Sequence, residues 1–166
     1  MHATTVCLGM RGVIIRGASG AGKSTLALAL LHRWQAAGTH AALVADDQTV
    51  VAGHGEALIA RPHPTLAGVM ERRGLGFIGP PTIPHCRVGL VVDLVPAAEA
   101  PRLPNARESA LIAGCPLPRL ALPAGDLFAA SETLHAALAS DGTMTHVVKA
   151  PGPPPIPTGR RLDADR

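Results

Sequence analysis

An α/β fold organised around a phosphate-binding loop, with a largely parallel sheet, is what this sequence predicts, and three features predict it. Residues Gly17 to Ser24 read G-A-S-G-A-G-K-S, a complete G-x-x-x-x-G-K-[ST] pattern. The apolar run Gly12-Val13-Ile14-Ile15-Arg16 precedes it as a short buried strand. Ser24 to Ala37 follows as a helix, with Leu26, Leu30, Leu31 and Trp34 on one face and Gly38 as its stop.

The loop pattern carries its own chemistry. Glycines at 17, 20 and 22 let the backbone turn tightly and bring several N–H groups to one anion. Lys23 is placed to reach β- and γ-phosphates, and the Ser24 hydroxyl to ligate Mg²⁺. Gly17, Ala18, Ser19, Gly20, Ala21, Gly22, Lys23, Ser24 and Thr25 are therefore the candidate nucleotide-binding stretch.

The other elements follow in order. Met1 to Leu8 is strand-like, and Ala41 to Ala45 is a second buried strand ended by Asp46-Asp47. Thr49 to Ala52 and Ala57 to Ala60 read as a hairpin around Gly53-His54-Gly55. Pro62-His63-Pro64 opens a loop, and Leu66 to Arg73 reads as a short helix stopped by Gly74. Val88 to Val95 is a strand interrupted by Asp93, and Leu120 to Leu122 a short one. Asp126 caps a last helix that runs through Leu138, with Leu127, Leu134 and Leu138 on its face. Residues 1–149 form one domain, and the Pro-rich stretch 150–166 is expected to be a mobile tail.

Composition narrows the function classes. The 166 residues are 47% hydrophobic, enough for a packed core rather than disorder. Aromatic residues are 2%, which argues against stacking platforms for single-stranded nucleic acid. A net charge of +3 is mild, and its basic residues are scattered, so no duplex-binding stripe emerges. No apolar run reaches the roughly 18 residues that span a bilayer, and no signal peptide is visible, so a cytoplasmic protein is expected. Cys7, Cys86 and Cys115 are too widely spaced for a metal or disulfide framework and read as reduced packing residues. The histidines have no zinc-ligand spacing.

Two further patterns add to the loop. Asp46-Asp47 closes an apolar strand, where a phosphate-loop enzyme needs carboxylates for Mg²⁺ or for the hydroxyl being phosphorylated. Glu71-Arg72-Arg73-Gly74-Leu75-Gly76-Phe77 sets a carboxylate and guanidinium groups just before permissive glycines. Alone, that stretch reads as an exposed helix end. Together with the loop, His2 and Val44-Ala45-Asp46-Asp47, it closely resembles the catalytic domain of HPr kinase/phosphorylase, from His2 to about Leu138.

That resemblance implies a phosphate-loop α/β domain akin to phosphoenolpyruvate carboxykinase, usually hexameric. It implies phosphorylation of a serine on the phosphocarrier protein HPr with ATP or pyrophosphate and Mg²⁺, and phosphorolysis in reverse. By position, Lys23 binds phosphates, Ser24 and Glu71 are magnesium ligands, and Asp46 and Asp47 match the carboxylate pair. Asp46 is expected as the base and Asp47 nearer the metal. His2 matches a histidine that assists the carboxylate, and Arg102 a phosphate-binding arginine. Arg73 and Gly74 belong to the E-x-R-G-L-G stretch, and Arg73 or Arg102 is expected to steady the transferring group. Two departures stand out. The additional N-terminal domain of long members is missing, so a short form or excised domain is expected. Their P-G-R-N stretch, associated with dephosphorylation, corresponds here to Leu122-Pro123-Ala124-Gly125-Asp126. The alternatives are a small-molecule kinase and a nucleotide-dependent sensor module.

Overall fold

A computed structural model describes residues 1–72, 74–102 and 108–139. The expected Pro-rich tail, 150–166, lies outside the described residues. The strands are β1 (Thr4–Leu8), β2 (Arg11–Gly17), β3 (Ala41–Ala45), β4 (Thr49–His54), β5 (Ala57–Pro62), β6 (Met70–Arg72), β7 (Gly76–Ile78), β8 (Cys86–Val95), β9 (Ser109–Ile112) and β10 (Cys115–Pro123). The helices are α1 (Lys23–Ala36) and α2 (Leu127–Ala139).

Strands β3-β1-β2-β8-β10-β9 form one sheet in that order, with β5 joining β4 to β8. Among the described strands, β2–β8 and β8–β10 pair in parallel, and the other strand pairs of this sheet are antiparallel. The sheet is thus mixed rather than largely parallel. Short connections, such as the Gly9-Met10 turn between β1 and β2, permit only antiparallel pairing. The parallel pairs are the central ones, and the phosphate loop springs from the end of one of them.

Val13 and Ile15 of β2 face the helices, and Ile14 faces the other way; all three are fully buried. A strand apolar on both faces is what a central position requires. On the helix side, Leu26, Leu30, Leu31 and Trp34 of α1 and Leu134 of α2 pack with residues of the sheet. Each fully buried leucine contributes roughly 1.5–3 kcal/mol relative to exposure. The second core lies on the opposite face, where Ile14 and Val91 meet Leu58 of β5 and Ile112 of β9. Cys7, Cys86 and Cys115 are buried there as free thiols. Burial, and then the nearby Cys7, pushes the Cys86 thiol up to about 12.

Helix α1 ends as its sequence suggests. Gly38 has φ 71°, and the Thr39 N–H reaches the Trp34 carbonyl at 2.9 Å. Helix α2 is capped by Asp126, whose Oδ1 accepts from the Ala129 N–H at 2.9 Å. An Arg33–Glu132 ion pair and an edge-on Trp34–His135 ring contact join the two helices.

The expected helix over Leu66–Arg73 is not formed. A 3₁₀ turn covers Pro64–Leu66, and β6 and β7 then make a separate two-stranded hairpin. Gly68 (φ 84°) interrupts any helix, and Gly74 (φ 80°) serves as a hairpin turn instead of a helix stop. The last strand is longer than Leu120–Leu122. Its prolines at 116 and 118 fall before the pairing with β8 begins at Arg119, where no β8 partner needs their N–H.

Candidate functional site

The site is built where β2 passes into α1. Gly17 has φ 152°, and a Cβ there would meet the Leu94 carbonyl oxygen at 2.9 Å. The loop therefore starts pressed against the β8 backbone, a position open only to glycine. Gly22 has φ 95° and immediately precedes α1. Ala18, Ser19 and Gly20 are exposed, and Ala21 is half-buried against the helix-side core.

Lys23 is buried although charged. Its ammonium donates to the Gly17 and Ala18 carbonyls, both at 3.0 Å, and lies 2.9 Å from His2 Nε2. The other ring nitrogen, Nδ1, is 2.9 Å from Asp47 Oδ1. An ammonium only donates and a carboxylate only accepts, so these partners assign His2 the Nδ1–H tautomer. Lys23, His2 and Asp47 thus form one hydrogen-bonded row.

Asp46 belongs to a second set. It is buried, and its Oδ1 accepts from the Ser24 hydroxyl at 2.8 Å and the Thr4 hydroxyl at 2.7 Å. The two acidic neighbours diverge because Asp47 takes φ 62°, the left-handed region that Asp tolerates better than most residues. Asp46 turns inward and Asp47 faces solvent. Backbone pairing holds that turn: the Ala3 N–H donates to the Asp47 carbonyl at 3.1 Å, and Thr49 N–H to the Met1 carbonyl at 3.0 Å. The first three residues thereby bring His2 to the loop.

The expected division of labour was Asp46 as base and Asp47 nearer the metal. The structure places Asp46 on the Ser24 hydroxyl and Asp47 on the histidine.

The remaining candidates are less tightly gathered. Glu71 is exposed on β6, and no hydrogen bond or ion pair joins it to Ser24, Asp46 or Asp47 among the described residues. Its neighbour Arg72 reaches the exposed Thr25 hydroxyl at 3.4 Å, which brings the hairpin beside the start of α1. Gly74 sits at the exposed hairpin turn, and Arg73 lies outside the described residues. Arg102 is exposed in a bend after the 3₁₀ turn Ala97–Glu99. Among the described residues no three acidic, histidine or cysteine side chains converge on a metal position. Ser24 and Asp46 do provide two adjacent oxygen donors, which suit a hard cation such as Mg²⁺.

Sequence reasoning missed Thr4 and the ion pairs behind the loop. Thr4 is fully buried, beside the equally buried Thr5, and a buried hydroxyl is a signal that a polar partner awaits it. Asp93 accepts from Arg16 Nε and Nη2 at 2.6 and 2.7 Å, and from Arg119 Nε at 2.5 Å. Burial by itself would raise the Asp93 carboxyl, but the hydrogen bonds and charges of the two arginines outweigh it and hold the group below its ordinary value.

With this geometry in place, likeness to known proteins is informative. A family model described as the HPr Serine kinase C-terminal domain matches residues 1–141. An HPr kinase/phosphorylase of Geobacillus thermodenitrificans is 35% identical over 134 residues, 74% of this chain and 41% of its own length. One from Limosilactobacillus reuteri is 31% identical over 134 residues, 74% of this chain and 40% of its length. The chain thus spans about two fifths of the curated relatives it matches. A solved structure described as the Hpr(Ser) kinase/phosphatase from Coxiella burnetii superposes with a TM-score of 0.67 at 27% identity, covering 82% of this chain and 93% of that one.

Proposed function

The chain belongs to the HPr serine kinase C-terminal domain family, and from that premise we propose that it transfers a phosphoryl group from ATP or pyrophosphate to a serine of an HPr-like phosphocarrier protein. One observation carries the reading: a lysine-bearing phosphate loop with two carboxylates beside it, one on the Ser24 hydroxyl and one on a histidine.

Lys23 now occupies the loop carbonyls and His2. On this reading its ammonium transfers to the β- and γ-phosphates when nucleotide enters, and the loop N–H groups hold the remaining oxygens. Ser24, oriented by Asp46, is the first oxygen donor to Mg²⁺, and Glu71 is assigned as the second. A bound Mg²⁺ neutralises charge on the phosphates. Asp47 is the base: it is exposed to an incoming protein, and His2 fixes its orientation while it takes the proton from the acceptor serine. Asp46 is too enclosed by Thr4 and Ser24 to meet an acceptor hydroxyl. Arg102 is assigned to the charge of the transferring group.

Phosphorolysis would run the same residues in reverse. The stretch Leu122-Pro123-Ala124-Gly125-Asp126 has no Arg or Asn, so the kinase direction is the one this reading favours. It also takes the working unit to be an assembly of several copies, a hexamer by resemblance, acting in the cytoplasm. Among the described residues no helix is long and apolar enough to cross a membrane.

Mass spectrometry of a phosphocarrier protein tests the reading, after incubation with this chain, ATP and Mg²⁺ and then with excess phosphate. A gain of one phosphate on serine supports it, and reversal by phosphate extends it to phosphorolysis. Nucleotide binding without any phosphorylated carrier would replace it with a sensor role.

A further inference from the structure

Arg16 is the last residue before the phosphate loop, yet its charge is not offered to the loop's anion. Val13 and Ile15 face α1, so alternation sets Arg16 on the opposite face with Ile14. There it grips both oxygens of Asp93, whose second partner, Arg119, donates from Nη1 to Glu108 Oε2 at 2.9 Å. Two cations and two anions therefore run in a row from β2 across β8 and β10 to Glu108, just before β9, with no net charge. Each arginine is partnered, so neither competes with Lys23 for phosphate.

The row sits at a mechanically informative place. Arg16 is in register with Asp93, and Gly17 with Leu94. Gly17 touches the Leu94 backbone closely, and its carbonyl is one of the two that hold Lys23. Any slip of the end of β2 along β8 would displace that carbonyl and the loop after it. A paired charge is weak evidence for stability, because well-packed apolar side chains hold strands equally well. A two-pronged guanidinium–carboxylate pair differs in being directional, so it specifies register and angle.

We propose that Arg16 and Asp93 are positioning residues for the phosphate loop: their two-pronged pair sets where the loop leaves β2, while Arg119 with Glu108 completes the charge row and serves stability. The inference rests on the nucleotide-binding reading of the site. It adds that affinity for the phosphates depends on charges on the far face of the sheet, none of which touches the ligand.

Calorimetric titration of MgATP into the whole chain, alongside thermal melting, tests this without any acceptor protein. Arg16→Met is expected to weaken MgATP binding about ten- to a hundredfold, as small displacements of binding groups do. Arg119→Met keeps the Arg16–Asp93 pair and should weaken binding by less than about threefold, although it strips two carboxylates of a partner and so lowers the melting temperature at least as much. Arg16→Lys keeps the charge but cannot make the two-pronged contact, and its affinity should fall between wild type and Arg16→Met. Opposite rankings for affinity and melting support a positioning role. Wild-type affinity in Arg16→Met, or affinities that simply track melting temperature, would overturn it; if Arg16→Met does not fold, wild-type affinity in Arg16→Lys does the same. Failure of the unaltered chain to bind MgATP would remove the phosphate-cradle reading itself, and this inference with it.

Discussion

The phosphate loop and the β6–β7 hairpin both supply candidate site residues, but the protein holds them very differently. The loop is pressed onto β8 at Gly17, anchored by the fully buried Leu26 and Leu30 of α1, and tied by hydrogen bonds from Lys23 and Ser24. The hairpin pairs two three-residue strands, and among its described residues Met70 alone is fully buried; Leu75 and Phe77 are exposed. Toward the loop side it reaches through Arg72, whose contact with the Thr25 hydroxyl is long. A region with dense apolar burial is preorganised, and one with few buried contacts sits at the low end of local stability. The loop is therefore held in place by its surroundings, whereas Glu71 sits on an element with few buried residues.

Substitutions can break or sharpen this contrast. The largest effect is expected in the preorganised half. Asp47→Asn should lower phosphoryl transfer by about a hundred- to ten-thousandfold, with nucleotide affinity retained, as loss of a general base does. Radiolabel transfer together with a direct nucleotide titration measures both, and transfer close to wild type would return the base role to Asp46. Next comes Leu30→Ala in α1, which should cost about 2–5 kcal/mol in urea unfolding because it opens a cavity in the helix-side core.

Asp93 supplies a pH-dependent term. Its carboxyl is held below the ordinary value in the folded protein, so its ionised form is favoured by folding. The resulting stability is fully present above the ordinary aspartate value of about 3.9 and is lost as pH falls through the folded value. Asp93→Asn should thus destabilise the protein by about 2–3 kcal/mol at pH 7, a gap that narrows on acidification below about pH 4. Urea midpoints across that range check the sign; a gap that widens in acid would contradict it. Smallest of all, Leu75→Ala in the hairpin should change stability by no more than about 0.5 kcal/mol. A large loss there would show that the hairpin is tied down as firmly as the loop.

Much of the fold could be read directly from residue order. The strand–loop–helix unit, β3, the β4–β5 hairpin and α2 all have strong local signals: continuous apolar runs, a complete glycine pattern and a capping aspartate. The Leu66–Arg73 stretch misled because glycines at 68 and 74 serve helix ends and hairpin turns alike, and only pairing with Gly76–Ile78 distinguishes them. Parallel and antiparallel central strands carry the same apolar pattern, so the mixed sheet was not visible either. In the site, the loop residues, His2 and the acidic pair were all legible as residue types. Which acid meets the Ser24 hydroxyl was not, because Asp46 and Asp47 differ by one position in sequence and by a left-handed turn in space.

By itself, the order of residues determined that a phosphate loop would form between a buried strand and an amphipathic helix, since glycine freedom and apolar period act over a few neighbouring positions. Tertiary structure alone decided which acid meets the Ser24 hydroxyl, that the first residues bring His2 beside Lys23, and that Arg16 is matched by Asp93 across the sheet. Those outcomes depend on strand register and on a backbone turn, which join residues 21 to 77 positions apart and leave no local pattern to read.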